Sequence, residues 1–185
     1  MSISSSPNEQ AELATRLRDA VTLHQRGQLA EAEQIYRQIL QRDPAQFDAL
    51  QLLGTVKIQH RQYAEGVDLI ERALAINPHS ARALLNLGHA LASLGRYDEA
   101  ADAFGRAVAV KSDYPQAHQG RGMALLRLGR AAEAVASFDA VLAMQPAHID
   151  AVGFRGVALA QLGRPPRRLR RSTGHWRRGR ATASC

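Results

Sequence analysis

Apolar side chains recur along this chain at intervals of three and four, as in Leu84, Leu87 and Leu91 and then Ala100, Phe104 and Ala107. Such spacing gathers them on one face of a helix. Between the two stretches, Gly95 suits a helix C-terminus, and Asp98 and Glu99 suit the first turn of the next helix. The same double pattern returns along the sequence. It predicts first helices over about 9–26, 47–60, 81–94, 115–128 and 149–162, and second helices over about 29–42, 63–76, 97–110 and 131–144.

The pattern has a fixed period. Pro44, Pro78 and Pro146 lie 34 and then 68 residues apart, with Ser112 at the missing place and Pro115 nearby. Each proline stops a second helix. Gly54, Gly88, Gly122 and Gly156 share one phase of the period, and Gly27, Gly95, Gly129 and Gly163 another. Ala32, Ala100 and Ala134 are each followed four residues later by a ring, Tyr36, Phe104 and Phe138, whereas the second repeat carries Gly66 and Ile70 there. These marks resemble the tetratricopeptide repeat (TPR) family, whose pattern runs W-x2-L-G-x2-Y, A-x3-F and P. Here the first part reads Leu50, Leu53, Gly54 and Leu84, Leu87, Gly88, Leu91, with leucine in place of the aromatics. The resemblance spans about residues 13–163 and departs at Asp19 and Ala20 in the first repeat.

Taken as a member of that family, the chain is expected to be all-α, a right-handed α-solenoid of four helix-turn-helix repeats plus a fifth first-helix. The physical reason stands beside the resemblance. One amphipathic hairpin cannot bury both of its apolar faces, so neighbours must stack. The expected organisation is a disordered N-terminus over 1–8, a solenoid over 9–163 and a disordered arginine-rich tail over 164–185.

Charge changes the picture only at that tail. The net charge of +7 arises where residues 164–185 hold eight arginines and no acid, while the remaining 16 basic and 17 acidic side chains nearly cancel. A nucleic-acid or membrane partner is therefore expected only through 164–185. No stretch approaches the roughly 18 apolar residues of a membrane helix, and the polar opening Met1 to Gln10 lacks a signal-peptide core, so the expected compartment is cytoplasmic.

After Gly163 the helical period stops at Pro165-Pro166-Arg167-Arg168. Read one base upstream, permitted codons from 166 onward can give Ala-Glu-Ala-Leu-Ala-Thr-Phe-Asp-Arg-Ala-Leu-Ala, which aligns without a gap on Asp98 to Ala109. A frameshifted remnant of the fifth repeat's second helix is thus one reading of the tail. A basic arm that uses Trp176 on RNA, DNA or an anionic membrane, and a plain disordered tail, are the others. In the frameshifted case Phe154, Val157 and Leu162 would be partly bare, and end-to-end self-association through the uncovered C-terminal helix is expected.

No catalytic constellation is legible. His24, His60, His79, His89, His118, His148 and His175 are scattered, Cys185 ends the chain, and the glycines form no phosphate-binding loop. The expectation is a chain that is not an enzyme and has no cofactor and no metal. What remains is a surface. In the resembled family the concave groove is lined by the second, fifth, ninth and thirteenth positions of each unit. Here these are Asp48, Gln51, Thr55 and Gln59; Arg82, Leu85, His89 and Ser93; and Gln116, Gln119, Met123 and Arg127. Short polar groups and two arginines suit an extended peptide backbone.

Two specialised versions of the family can be compared by position. Arg82 and Asn86 match in part the clamp that grips a terminal carboxylate. Asn86 is also the single asparagine at the sixth positions Arg18, Leu52, Asn86, Gly120 and Phe154, where O-linked N-acetylglucosamine transferases carry an asparagine ladder. The run Ala32 to Leu40 with Asp43-Pro44 also looks like bacterial TPR segments that precede a glycosyltransferase domain. The resemblance implies a noncatalytic module that binds a protein or peptide in its groove as a scaffold or adaptor. Its alternatives are a truncated substrate-recognition region of such a transferase, or an adaptor with a basic tail.

Overall fold

A computed structural model describes residues 7–163, so the tail and its three readings lie outside the described residues. The described residues form nine helices and no strands: α1 (Pro7–Gln25), α2 (Leu29–Arg42), α3 (Phe47–Gln59), α4 (Tyr63–Ile76), α5 (Ala81–Ser93), α6 (Tyr97–Val110), α7 (Pro115–Arg127), α8 (Ala131–Met144) and α9 (Ile149–Leu162). The four second helices have the bounds expected from the repeat. α1 departs from expectation, because it opens at Pro7, inside the stretch 1–8 expected to be disordered. Proline's fixed φ and missing N–H suit a first helical turn.

Each hairpin closes through the same turn. Gly27, Gly95 and Gly129 adopt φ of 78°, 77° and 75°, the left-handed region in which a Cβ is strained. The next backbone N–H then reaches back into the first helix, as from Arg96 to the Leu91 carbonyl at 2.9 Å and from Arg130 to Leu125 at 2.9 Å. The second repeat makes the turn with Arg61 at φ 60° instead of glycine. Gly163 shares the phase of these glycines but keeps φ −74°.

Each helix packs against the one before and the one after it, and α3–α5, α5–α7 and α7–α9 also touch. No pair of second helices approaches as closely. Elements on the inner side of a curved stack are crowded together and those on the outer side are splayed, so the first helices form the concave wall. The chain is an α-solenoid.

Ring insertion holds the stack together. Tyr36, Phe104 and Phe138 are fully buried, and a Cβ added at Gly88 or Gly120 would lie 2.6 Å from the Phe104 ring. That ring is therefore wedged between α5 and α7, and both glycines are required by it. In the second repeat Gly54 and Gly66 bring the backbones of α3 and α4 together, and Ile70 fills the place of a ring. The buried apolar residues form two clusters: one joins α1, α2 and α3, and the other runs from α4 to α9.

Candidate functional site: the concave wall

The groove is built by α3, α5 and α7, and the residues expected to line it do two different things. Some tie helices together. Gln51 is buried, its side-chain oxygen accepts from the Ser80 hydroxyl at 3.2 Å, and its carbonyl accepts from the Thr55 hydroxyl at 2.9 Å. Asn86 donates its amide to the Thr55 oxygen at 2.9 Å. These bonds staple α3 to α5, so Gln51 sits behind the wall, and Thr55 and Asn86 are half-buried in it. Leu85 is half-buried and packs on the core. Gln119 is also half-buried.

The others face solvent: Asp48, Gln59, Arg82, His89, Ser93, Gln116, Met123 and Arg127 are exposed. Ser93 donates its hydroxyl to the His89 carbonyl at 2.9 Å, which leaves the hydroxyl oxygen as an acceptor. The charge of Arg82 is felt by both His24 and Tyr114.

Between α5 and α7 the wall opens into a cavity of about 320 Å³ lined by His89, Ser93, Tyr97, Phe104, Met123 and Arg127. It exists because Gly120 offers no side chain there and lets the Phe104 ring reach the groove. The His89 imidazole meets that ring edge-on, with centroids 5.1 Å apart and planes at 76°. Loss of water around the imidazole holds its pKa below the ordinary histidine value, which favours the neutral ring at neutral pH. The cavity thus has an aromatic and thioether interior with a neutral imidazole, and a guanidinium and a hydroxyl at its edge. That combination can seat an apolar side chain and hold an oxygen acceptor beside it. Sequence reading did not place Tyr97 or Gly120 at a cavity; the signal was present in Gly120 following Phe104 by sixteen residues, the spacing at which Phe154 follows Phe138 and stacks on it at 5.8 Å.

A buried polar cluster outside the groove was also missed. Lys57 of α3 is 4% exposed and pairs with Glu33 of α2 at 2.9 Å and with Glu65 of α4 at 3.1 Å. Its Nζ also donates to the Gln62 side-chain oxygen at 3.0 Å. Glu33 is also met by Arg37 at 2.7 Å and by the His60 ring at 3.6 Å. Burial opposes the carboxylate, but the Lys57 hydrogen bond and charge, helped by Arg37 and His60, outweigh it and lower the Glu33 pKa. Burial likewise opposes the ammonium of Lys57, and its two carboxylates outweigh it and raise the pKa. Every buried side-chain polar atom of the cluster has a partner, so it fastens helices instead of presenting chemistry. Among the described residues there is also no group of histidines, cysteines and carboxylates that could hold a metal ion. No helix among them is long and apolar enough to cross a membrane.

Comparison with known proteins agrees with this architecture. No curated protein matches the chain in sequence. Among solved structures, the crystal structure of MamA superposes with a TM-score of 0.77 at 21% identity, over 82% of each chain. YrrB, described as a TPR protein with an unusual peptide-binding site, gives 0.74 at 28% identity over 78% of this chain and 75% of its own. The first TPR of Spaghetti (RPAP3), bound to an HSP90 peptide, gives 0.60 at 23% identity over 62% of this chain and 91% of its own. Two profiles described as tetratricopeptide repeat match residues 52–118 and 120–167, and residues 13–38. Four stacked hairpins, the rings of Phe104 and Phe138 set against Gly88, Gly120 and Gly122, and these matches together make the chain a member of the tetratricopeptide repeat family.

Proposed function

We propose that this protein-interaction module is noncatalytic and uses its concave wall to hold an extended segment of a partner protein as a scaffold or adaptor. In this reading an apolar side chain of the segment enters the cavity between α5 and α7, and an acidic group beside it meets Arg127 or Arg82. The observation that carries it is the 320 Å³ cavity in the inner wall, apolar within and edged by a cation. The polar groups left exposed along α3 and α7, Gln59 and Gln116 among them, suit the amide groups of an extended backbone. Peptide binding by YrrB and by the Spaghetti TPR supports the same use of the fold. The cytoplasmic setting expected from the sequence belongs to this proposal.

Selection of random peptides displayed on phage against the full chain tests it. Enriched sequences should share one large apolar residue with an acid near it. Their affinity, read by fluorescence anisotropy, should fall at least tenfold in Met123→Glu and in Arg127→Glu. Peptides that bind these variants as tightly as the parent chain would locate binding elsewhere and end the reading.

A further inference from the structure

Position 121 breaks the repeat in its interior. One and two periods earlier the same place holds Leu87 and Leu53, both buried, whereas Arg121 brings a guanidinium into the junction of α6 and α7 and is half-buried there. One period later the place holds Arg155, whose Nε donates to the Asp139 carboxylate of α8. The counterpart of Asp139 on α6 is Gly105. Arg121 thus repeats the arginine of the next junction without its carboxylate. Its Nε lies over the glycine, 3.8 Å from the position a Cβ would take.

Around this guanidinium, α6, α7 and the start of α8 leave a cavity of about 410 Å³ edged by Asp102, Gly105, Arg106, Arg121, Leu125 and Arg130. Most of the rim belongs to α6, a second helix, so the cavity opens away from the concave wall. Among the described residues Arg121 makes no ion pair and no side-chain hydrogen bond. Its charge reaches Glu133, but that carboxylate is held by Arg130 in two hydrogen bonds at 2.7 and 2.8 Å. Asp98 and Asp102 act on Arg130 through charge, without an ion pair. With Glu133 set against Arg130 and Asp102 against Arg106, the charge of Arg121 is left without an adjacent acid. A half-buried guanidinium loses hydration, and without a partner nothing offsets that loss.

We propose that this place on the outer face receives the side-chain carboxylate of an aspartate or glutamate from a partner polypeptide, which lies over Gly105 and does for Arg121 what Asp139 does for Arg155. The flat fork of a guanidinium matches a carboxylate through two parallel N–H bonds. One remaining positive charge balances one carboxylate. A phosphate dianion would exceed it and would meet Asp102 on the same rim. An ion pair at a half-open surface is weak by itself, so a free small carboxylate gains little there. The acid is therefore carried by a larger partner whose other atoms pack along α6. The site is independent of the groove: Arg121 and Met123 are two residues apart, about 200° around α7, so both surfaces can be occupied at once.

Two measurements on the full chain test it. In the first, followed by NMR, the carboxyl introduced by Gly105→Asp should titrate about one pH unit lower than the same carboxyl in the Gly105→Asp, Arg121→Leu chain. Asp102, Arg106 and Arg130 are common to both chains, so the difference isolates Arg121. Equal values overturn the proposal, because Arg121 would then not address a carboxylate in that place. In the second, random peptides displayed on phage are depleted on the Met123→Glu, Gly105→Asp chain and then selected on Met123→Glu, in which the groove cavity is closed. Enriched peptides should share an aspartate or glutamate. Their affinity, read by fluorescence anisotropy, should fall about tenfold in Arg121→Leu, in Gly105→Asp and when the acid is changed to its amide. Arg121→Leu restores the residue of the earlier repeats, and far-UV circular dichroism should keep its helix content. Arg127→Glu should leave this affinity unchanged, whichever way the groove experiment turns out. The absence of an enriched acidic peptide, affinities indifferent to Arg121→Leu, or tighter binding once phosphoserine replaces the acid each overturns the proposal, the last in favour of a phosphate.

Discussion

The junction between the first and second repeats and the two that follow it solve one packing problem with opposite chemistry. At the first, Glu33 of α2 meets Lys57 of α3 in a buried ion pair. One period later the corresponding residues are Val67 and Leu91, and two periods later Ala101 and Leu125, all inside a single apolar cluster. The first junction also carries Arg61 where its neighbours have glycine in the turn. The backbone is thus the same while the adhesive differs. A buried ion pair recovers the desolvation of its charges only while both partners and their hydrogen bonds are in place, whereas an apolar pair is stable by default. The clusters divide near this junction as well, with α1 to α3 on one side and α4 to α9 on the other.

Breaking the pair on one side gives the largest effect. Lys57→Leu leaves the Glu33 carboxylate buried opposite an alkyl group, and the expected loss is about 3–5 kcal/mol, read from urea unfolding of the full chain. Changing both to the residues of the next junction, Glu33→Val with Lys57→Leu, should restore stability to within about 1 kcal/mol of the parent or exceed it. A double variant as unstable as the single one would mean that Arg37, His60 and Glu65 hold this junction independently of the pair.

The contrast between junctions was only half legible in the sequence. The period of glycines, rings and prolines located the helices, because those residues answer to contacts made within a hairpin or one helix away. The Glu33–Lys57 contact joins different repeats, and each residue alone looks like an ordinary charged position on a helix face. Gly120 was compared with an asparagine ladder, while its structural reason is the Phe104 ring arriving from α6. Gln51 occupies a groove position by count, yet the Ser80 hydroxyl at the start of α5 draws it behind the wall. Position along the repeat told which way the backbone faces, and the hydrogen bonds of neighbouring repeats decided which of those side chains are free.

Acid should sharpen the comparison with a smaller, graded effect. The Glu33 pKa is lowered in the folded chain, so its contribution is full above the unfolded value of 4.5 and is lost as pH falls below that toward the folded value. Amide hydrogen exchange followed from pH 6 to about 3 should show α1 and α2 losing protection before α5 to α8, whose junctions contain no such carboxylate. In the Glu33→Val, Lys57→Leu chain that order should disappear. His89 adds a term of the same sign in the middle of the solenoid, because its pKa is also lowered and its contribution fades as pH falls through 6.5. Replacement by glutamine at His89 should remove that earlier step and leave the acid step of the first junction in place.

The turn offers the smallest and cleanest change. Arg61 sits at φ 60°, and its N–H donates to the Ile58 carbonyl at 2.9 Å, a bond that glycine would keep. Gln62 beside it makes the backbone bond to the Lys57 carbonyl at 2.8 Å, so the turn closes normally despite the strain. A non-glycine residue in the left-handed region costs about 1–2 kcal/mol. Glycine would relieve this but would loosen the unfolded chain by about 0.4–1 kcal/mol. Arg61→Gly should therefore stabilise the protein by roughly 0.5–1 kcal/mol, measured as a shift in the urea midpoint at constant slope. The reverse change in the third repeat, Gly95→Arg, should destabilise by a similar amount, since a Cβ there meets no neighbour and only its φ of 77° resists it. If Gly95→Arg proved neutral, the odd residue in the first junction's turn would carry no strain, and the difference between the junctions would reduce to the ion pair alone.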